Sequence, residues 1–156
     1  MSSITKESDT PGFKATAQTR NILVFHKLSN QITFGSTNYS PERLILLFES
    51  LIDSGYEFGP IQEVLTGHNS KKLSVTFDDG YAHLLRTLPR LIDKYKIKPV
   101  IFVPTAFMGE KNRWDYSFRL RDESHLDSVQ MAELSEMGCE FGTHGHRHLD
   151  LTKLDE

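Results

Sequence analysis

Four apolar runs of strand length alternate with amphipathic helical segments along most of this 156-residue chain. The runs lie at residues 22–25, 73–77, 100–103 and 139–142. Continuous apolar runs are typical of strands that are buried on both faces, and such strands form parallel sheets when helices connect them. The alternation therefore predicts an α/β fold with a parallel sheet. In such folds the functional residues lie in the loops that follow the strands.

The first two helices have clear sequence signals. Ser40 as N-cap and Pro41 as the first helical residue predict the start of a helix with one apolar stripe, which Gly55 ends. A second amphipathic helix follows Gly80. It contains Pro89, which should kink or divide it because proline lacks the backbone N–H and its ring crowds the preceding turn.

The second half of the chain combines a long loop with a third helix. Residues 104–126 form the loop, and loops of this length in compact domains are usually functional or mobile. Asp127 or Ser128 is expected to cap the third helix, which Gly138 closes. Shorter elements are predicted at 56–58 (a strand), 61–65 (a helix) and 149–154 (a helix that the chain leaves unfinished).

The composition argues against several classes of protein. The chain has 38% hydrophobic and 25% charged residues, which is ordinary for a globular domain, and its net charge of −3 gives no electrostatic case for binding nucleic acid or an anionic membrane. No segment approaches the ~20 apolar residues of a membrane span. Residues 1–20 lack the apolar stretch of a secretory signal and are predicted to form a flexible tail ahead of one domain at 21–156. We therefore expect a cytoplasmic protein.

The single cysteine, Cys139, excludes an internal disulfide. It lies in the short apolar strand at 139–142 and is interpreted as a small core residue, the usual fate of a free cysteine. A nucleophile or a metal ligand is the alternative.

Two polar motifs follow strands and carry the chemistry of this chain. Asp78 and Asp79 come directly after the run at 73–77, and His144 and His148 follow the run at 139–142. If a helical turn begins at Arg147 and His148, the two imidazoles can face one way. Two imidazoles and one carboxylate suit Zn²⁺, or Co²⁺, Ni²⁺ or Fe²⁺, and three protein ligands leave a position for the water of a catalytic site. Asp79 could supply the carboxylate, and Asp78 could take a proton from that water.

Each motif alone has an ordinary explanation. Asp-Asp-Gly is a common turn, and the segment from His144 to His148 could be a solvated polar stretch or an adventitious metal binder. Together, each after an apolar strand, they favour one site for metal-assisted hydrolysis of an amide or ester. We expect His146, between the two ligands, to point away from it.

Other polar and aromatic residues are weaker candidates. His26 ends the first strand and either lines the same site or is a structural histidine. Trp114 in the long loop could form a platform for a sugar ring or cap the core, and Asp115 could be an extra ligand or a substrate contact. The remaining histidines are interpreted as surface residues: His68, His83 and His125.

The chain resembles the polysaccharide deacetylase family, carbohydrate esterase family four, which includes the nodulation-type chitooligosaccharide deacetylases. The resemblance runs from about Ile22 to the end and is most specific in two segments, Thr76-Phe77-Asp78-Asp79-Gly80-Tyr81 and Phe141-Gly142-Thr143-His144 through His148-Leu149-Asp150-Leu151. Weaker parts are Phe25-His26, Ser40-Pro41-Glu42, Leu88-Pro89-Arg90-Leu91 and Phe102-Val103-Pro104-Thr105.

The resemblance implies a function and a role for each motif residue. Asp78 corresponds to the family's catalytic base, and Asp79, His144 and His148 correspond to its metal ligands, normally for zinc. Tyr81 closes the first motif and is a candidate for contact with substrate or for support of the site. The implied reaction is removal of an N-acetyl group from an amino-sugar polymer or oligomer, and the implied fold is a deformed (β/α) barrel.

This sequence departs from the family pattern after His148. The family's later motifs carry an arginine that orients the base, an aromatic groove wall and a Leu-x-His whose histidine is the general acid, and none has a counterpart here. We therefore expect a partial barrel without its C-terminal part, whose open edge a partner chain or self-association could cover. A non-catalytic metal- or glycan-binding remnant, and a deformylase or imide hydrolase on the same scaffold, are the alternative functions.

Overall fold

The structure, a computed structural model, describes residues 21–30, 38–67, 69–113, 123–150 and 152. In chain order its strands are β1 (Ile22–Phe25), β2 (Lys27–Leu28), β3 (Asn38–Tyr39), β4 (Glu57–Phe58), β5 (Lys72–Phe77), β6 (Val100–Val103) and β7 (Glu140–Thr143). The α-helices are α1 (Pro41–Asp53), α2 (Ile61–Thr66), α3 (Leu84–Tyr95) and α4 (Ser128–Glu136), and a 3₁₀ turn covers Thr105–Phe107. No helix within these described ranges has the length and apolar character needed to cross a bilayer.

A five-stranded parallel sheet organises the fold, as the sequence predicts. The strand order is β1-β5-β6-β7, and β4 pairs with the start of β5. β2 and β3 form a separate parallel pair. Because all these strands are parallel, the residues that follow β1, β5, β6 and β7 emerge at the same edge of the sheet.

The predicted N-caps of α1 and α4 are confirmed. Ser40 caps α1 by accepting a hydrogen bond from the backbone N–H of Arg43 at 3.2 Å. Asp127 caps α4, and with Gln130 it forms a capping box in which the side chain of each residue accepts the backbone N–H of the other. These caps fix the residue at which each of the two helices begins.

Of the two effects expected of Pro89, a kink or a division, the division is wrong, because α3 runs unbroken from Leu84 to Tyr95. Three leucines of α3, at 84, 88 and 91, are 0%, 0% and 1% exposed in the core. Burial of this stripe against the sheet offsets the hydrogen bond that the proline cannot make.

The segment at 104–126 is more structured than the long loop that the sequence predicts. Besides the 3₁₀ turn, its described residues form two antiparallel bridges, between Tyr81 and His125 and between Lys111 and Ser124. Residues 114–122 lie outside the described residues, as do the predicted tail at 1–20 and most of the predicted helix at 149–154. The division into a tail and one domain stays a prediction.

The core lies between the sheet and the helices. β5 is buried from Leu73 to Phe77, and one apolar cluster joins β1, β5 and β6 to α1, α3 and α4. Cys139 is 4% exposed within this cluster, and burial raises the pKa of its thiol to about 12. The thiol therefore stays protonated near neutral pH, which favours the interpretation as a core residue over a nucleophile or a ligand.

Candidate metal centre

The Asp-Asp-Gly turn begins where β5 ends. The backbone N–H of Asp78 donates to the carbonyl of Phe25 at 2.8 Å and so extends the pairing with β1 by one step. The next two residues then turn sharply, with φ of +66° at Asp79 and +55° at Gly80. This left-handed turn directs Asp79 toward the loop after β7 instead of along the strand.

Position 80 requires glycine because of a close contact as well as because of its positive φ. A Cβ atom on this residue would lie 2.8 Å from Cγ2 of Val103 at the end of β6. The turn therefore passes directly over the neighbouring strand, and only glycine allows both the close approach and the positive φ.

The histidine loop follows β7 and is held by the end of β6. His144 donates its backbone N–H to the carbonyl of Val103 at 2.9 Å, and the carbonyls of Gly145 and His146 accept from the backbone N–H groups of Thr105 and Ala106 at 3.1 and 2.9 Å. These bonds fix the loop over the carboxyl edge of the sheet.

No helical turn begins at Arg147 and His148, which was the condition under which the sequence let the two imidazoles face one way. Residues 146 and 147 form a bend, Gly145 has φ of +75°, and His148 itself is left-handed with φ of +50°. The two imidazoles approach each other because the loop reverses at these two left-handed residues, and their ring centroids lie 5.0 Å apart.

Asp79, His144 and His148 converge on one point. Oδ1 of Asp79 lies 3.2 Å from Nε2 of His148 and 3.6 Å from Nε2 of His144, and one ligand atom from each residue lies within 4.8 Å of the others. The Asp79 side chain is 5% exposed, whereas the two imidazoles are about one-third exposed. The carboxylate of the cluster is therefore buried, whereas its two imidazoles are accessible to solvent.

The chemistry of this cluster fits a divalent metal ion. Oδ1 of Asp79 is buried and has no hydrogen-bond partner of acceptable geometry among the described residues. A buried carboxylate oxygen without a partner is costly, and a cation shared with two imidazoles would supply the missing interaction. Two nitrogen ligands and one oxygen ligand are a donor set that zinc accepts in catalytic sites.

Comparison with known proteins identifies the chain's family. Residues 66–156, more than half of the chain, match the family described as polysaccharide deacetylase. This chain belongs to the polysaccharide deacetylase family. It is also 29% identical over 161 residues to YxkH of Bacillus subtilis (strain 168), a protein named for the same family, in an alignment that covers 96% of this chain and 51% of that protein.

Solved structures of deacetylases share the fold. The Streptococcus pyogenes deacetylase PplD, solved in complex with acetate, aligns with a TM-score of 0.67 at 21% identity over 86% of this chain and 60% of its own. IcaB from Ammonifex degensii aligns with a TM-score of 0.65 at 24% identity over 80% of this chain and 52% of its own. The deacetylase-family chain thus has the fold of part of a (β/α) barrel, and it spans about half the length of the curated relative that it matches.

Asp78 directly precedes Asp79 of the three-residue cluster in sequence, and its carboxylate lies near His26. Its Oδ2 is 3.8 Å from Nε2 of His26, beyond a hydrogen bond, and the two side chains are 18% and 30% exposed. His26 therefore lies near Asp78, and its two interpretations, as a residue of the site or as a structural histidine, both stay open. A cavity of about 610 Å³ borders the same region and is lined by residues 143–150.

The other predicted residues take different positions. His146 points away from the cluster, as expected, and its Nδ1 lies 2.9 Å from Oγ1 of Thr105. Tyr81 is fully buried and its ring stacks on His83 and His125, so it offers no exposed surface to a substrate. Trp114 and Asp115 lie outside the described residues.

The interpretation of His83 and His125 as surface residues is wrong, and His68 lies outside the described residues. His83 and His125 stack on the ring of Tyr81, with centroid distances of 5.5 and 5.2 Å. His83 accepts the backbone N–H of Leu28 through Nε2 at 3.1 Å, and burial lowers its pKa to about 4. It is therefore a neutral structural residue near pH 7.

His125 is the site residue that sequence reasoning missed. It is 1% exposed, and its Nδ1 lies 2.7 Å from the backbone carbonyl of Asp79. One signal was present: Asp127 begins a well-capped helix, so the residues just before it have fixed positions at the sheet edge. That signal places His125 near the strand ends but does not say which way its ring points.

Proposed function

We propose that this chain carries the metal-binding part of a hydrolase site that removes N-acetyl groups from an amino-sugar polymer or oligomer. The observation that carries the proposal is the convergence of Asp79, His144 and His148, with Asp78 directly before Asp79 in sequence, in a chain of the polysaccharide deacetylase family. Zn²⁺ is the proposed ion, and Co²⁺, Ni²⁺ and Fe²⁺ suit the same ligands.

The proposed ligands are Asp79, His144 and His148. A divalent ion held by them would polarise an acetyl carbonyl and acidify water, which is the usual contribution of such ions to hydrolysis. Each imidazole would bind the ion through an unprotonated ring nitrogen.

Asp78 is proposed as the general base. Asp78 is adjacent in sequence to the proposed ligand Asp79, and 18% of its side chain is exposed, so its carboxylate would be accessible to a bound substrate. It would take the proton from the attacking water as the new carbon–oxygen bond forms, and it would return that proton to the amine nitrogen as the carbon–nitrogen bond breaks. His26, whose Nε2 is 3.8 Å from Oδ2 of Asp78, would hold that carboxylate through a bridging water.

The test is release of acetate from N-acetylglucosamine oligomers by the metal-loaded chain. The matched control is Asp78→Asn, which removes the base and keeps the three proposed ligands. Acetate release with zinc or cobalt that falls at least ~100-fold in Asp78→Asn would support the proposal.

Other outcomes separate the alternatives. Metal binding without acetate release above the Asp78→Asn background would indicate a metal- or glycan-binding module without hydrolysis. Activity on formyl or imide substrates in place of acetylated sugars would indicate a different carbon–nitrogen hydrolase on the same scaffold.

A further inference from the structure

The turn that bears Asp79 needs external support. Asp79 and Gly80 are both left-handed, and a non-glycine residue in that conformation costs about 1–2 kcal/mol. Such a residue persists only where its surroundings hold it in place. The structure shows what holds it.

The support is a short segment at 123–126, which precedes α4. Its Ser124 carbonyl accepts the backbone N–H of Ala82 at 2.8 Å, and its Leu126 N–H donates to the carbonyl of Gly80 at 2.7 Å. These two bonds bracket the antiparallel bridge between Tyr81 and His125. The segment therefore pairs with the residues that follow Asp79 much as a strand would.

His125 extends this pairing to Asp79 itself. Its Nδ1 lies 2.7 Å from the Asp79 carbonyl. Because a carbonyl can only accept, Nδ1 must carry the proton. The peptide that joins Asp79 to Gly80 is thereby fixed in orientation, and with it the direction in which the Asp79 side chain leaves the backbone.

The imidazole of His125 is itself held rigidly. It is 1% exposed and lies between Tyr81, stacked at 5.2 Å, and Phe107, tilted at 6.1 Å. Phe107 belongs to the 3₁₀ turn whose residues Thr105 and Ala106 bind the histidine loop. His125 therefore lies between the turn that carries the carboxylate ligand and the segment that holds the imidazole ligands.

We propose that His125 is a positioning residue, which fixes the Asp79 backbone so that the carboxylate faces His144 and His148. This inference rests on the proposed metal site and adds a residue to it. The role requires a hydrogen-bond donor at the position of Nδ1. A side chain of similar shape without such a donor would not fulfil it. Residues that orient metal ligands typically change metal affinity by 10–100-fold when they are replaced.

The experiment compares two variants of similar size in the full chain. His125→Asn keeps a donor near the position of Nδ1, and His125→Leu has a similar shape without one. The readouts are Zn²⁺ affinity, measured by competition with a chromophoric chelator, and the melting temperature of the metal-free protein. The control is His83→Leu, which removes a histidine from the other contact of Tyr81 without touching the Asp79 turn.

We expect His125→Leu to bind Zn²⁺ at least ~10-fold more weakly than the unmodified chain, and His125→Asn to recover most of that loss. His83→Leu should lower the melting temperature and leave the affinity unchanged. Equal affinity in the unmodified chain and His125→Leu would overturn the positioning role alone. Equal loss in the Leu and Asn variants would overturn the requirement for a donor.

Two further outcomes complete the test. If the unmodified chain binds no Zn²⁺, the proposed metal site fails, and this inference fails with it. If His125→Leu shows no cooperative melting, His125→Phe replaces it, because phenylalanine keeps the ring between Tyr81 and Phe107 and still lacks the donor. Normal affinity in the Phe variant would then contradict the proposal.

Discussion

At the scale of single residues, the site depends on a carboxylate that is unfavourable by itself. The Asp79 side chain is 5% exposed, and its Oδ1 lacks a hydrogen-bond partner among the described residues. A buried polar atom in this state usually destabilises the fold by about 1–3 kcal/mol. The residue is thus placed for binding a cation at the expense of the stability of the metal-free protein.

Asp79→Asn should separate these two properties. We expect the metal-free variant to melt higher than the unmodified chain at pH 8, because an amide replaces a buried carboxylate whose Oδ1 lacks a hydrogen-bond partner among the described residues. We also expect its Zn²⁺ affinity to fall at least ~100-fold, since an amide is a poor ligand. Calorimetric melting with chelator present and a metal competition titration measure the two effects.

The control for this prediction is Asp78→Asn, whose side chain is more exposed and lies outside the three-residue cluster. It should change neither the melting temperature nor the affinity by much. A metal-free Asp79→Asn protein that is less stable than the unmodified chain would show that the carboxylate already has a compensating partner.

The lowered pKa of His83 leads to a second prediction. Burial lowers its pKa to about 4, so the unfolded chain binds more protons than the folded chain between about pH 4 and 6.5. The stability that neutral His83 contributes is therefore complete above pH 6.5 and is lost as the pH falls toward 4. The loss between pH 7 and pH 5 should be at most about 2 kcal/mol.

Urea unfolding of the chain and of His83→Gln at these two pH values measures this contribution. Glutamine does not titrate, and its side-chain oxygen can still accept the N–H of Leu28. The difference in unfolding free energy between the two proteins should shrink as the pH falls. A difference that does not depend on pH would contradict the lowered pKa.

Residues of the candidate site could be predicted from sequence where a motif contained them, and not elsewhere. Asp78, Asp79, His144 and His148 were found because each follows an apolar strand, and parallel strands end together. His125 and His83 were missed because an isolated histidine in a loop or at a helix start has no periodic signal. Their burial depends on Tyr81, whose ring contacts both.

At the scale of elements, local signals predicted most of the fold. The caps at Ser40 and Asp127 were recognisable because capping is a local interaction. The continuity of α3 through Pro89 was not, because it depends on tertiary burial of the leucine stripe. The chain reversal at His148 was also not predictable from local sequence, because a left-handed histidine persists only where its surroundings hold it.

The turn between β5 and α3 gives a prediction at this scale. Gly80→Ala should cost about 1–2 kcal/mol for the positive φ, and about 1–3 kcal/mol more because the new methyl group would meet Val103. Displacement of the turn should also weaken Zn²⁺ binding. Chemical unfolding and a metal titration test both effects.

Gly138→Ala is the matched control for the turn. Gly138 also has a positive φ, +96°, but no heavy atom lies within 4 Å of the position that the new methyl group would take. It should show the conformational cost alone and keep full metal affinity. If the two alanine variants are equally stable and bind Zn²⁺ equally, close packing of the turn on β6 does not position the ligand.

At the scale of the whole molecule, the sheet is open. Among the residues that the structure describes, β1 and β7 each pair on one side only, and Val24 in β1 is 55% exposed. The solved structures of PplD and IcaB, which share this fold, are longer, with 60% and 52% of their length covered by this chain. An open edge beside exposed apolar surface favours association with another chain.

We therefore expect the 156-residue chain to self-associate as its concentration rises. Val24→Lys should shift it toward the monomer, because a charge beside a sheet edge opposes pairing. Sedimentation velocity from micromolar to millimolar concentration measures this. A chain that stays monomeric throughout, with or without the substitution, would contradict the expectation.

The central claim is that Asp79, His144 and His148 bind one metal ion, and X-ray absorption at the zinc edge tests it most directly. We expect one Zn²⁺ per chain, with two imidazoles and additional oxygen ligands at about 2.0–2.1 Å. One imidazole should disappear from the spectrum in His148→Gln. A zinc shell made only of oxygen, or one unchanged by that substitution, would contradict the claim.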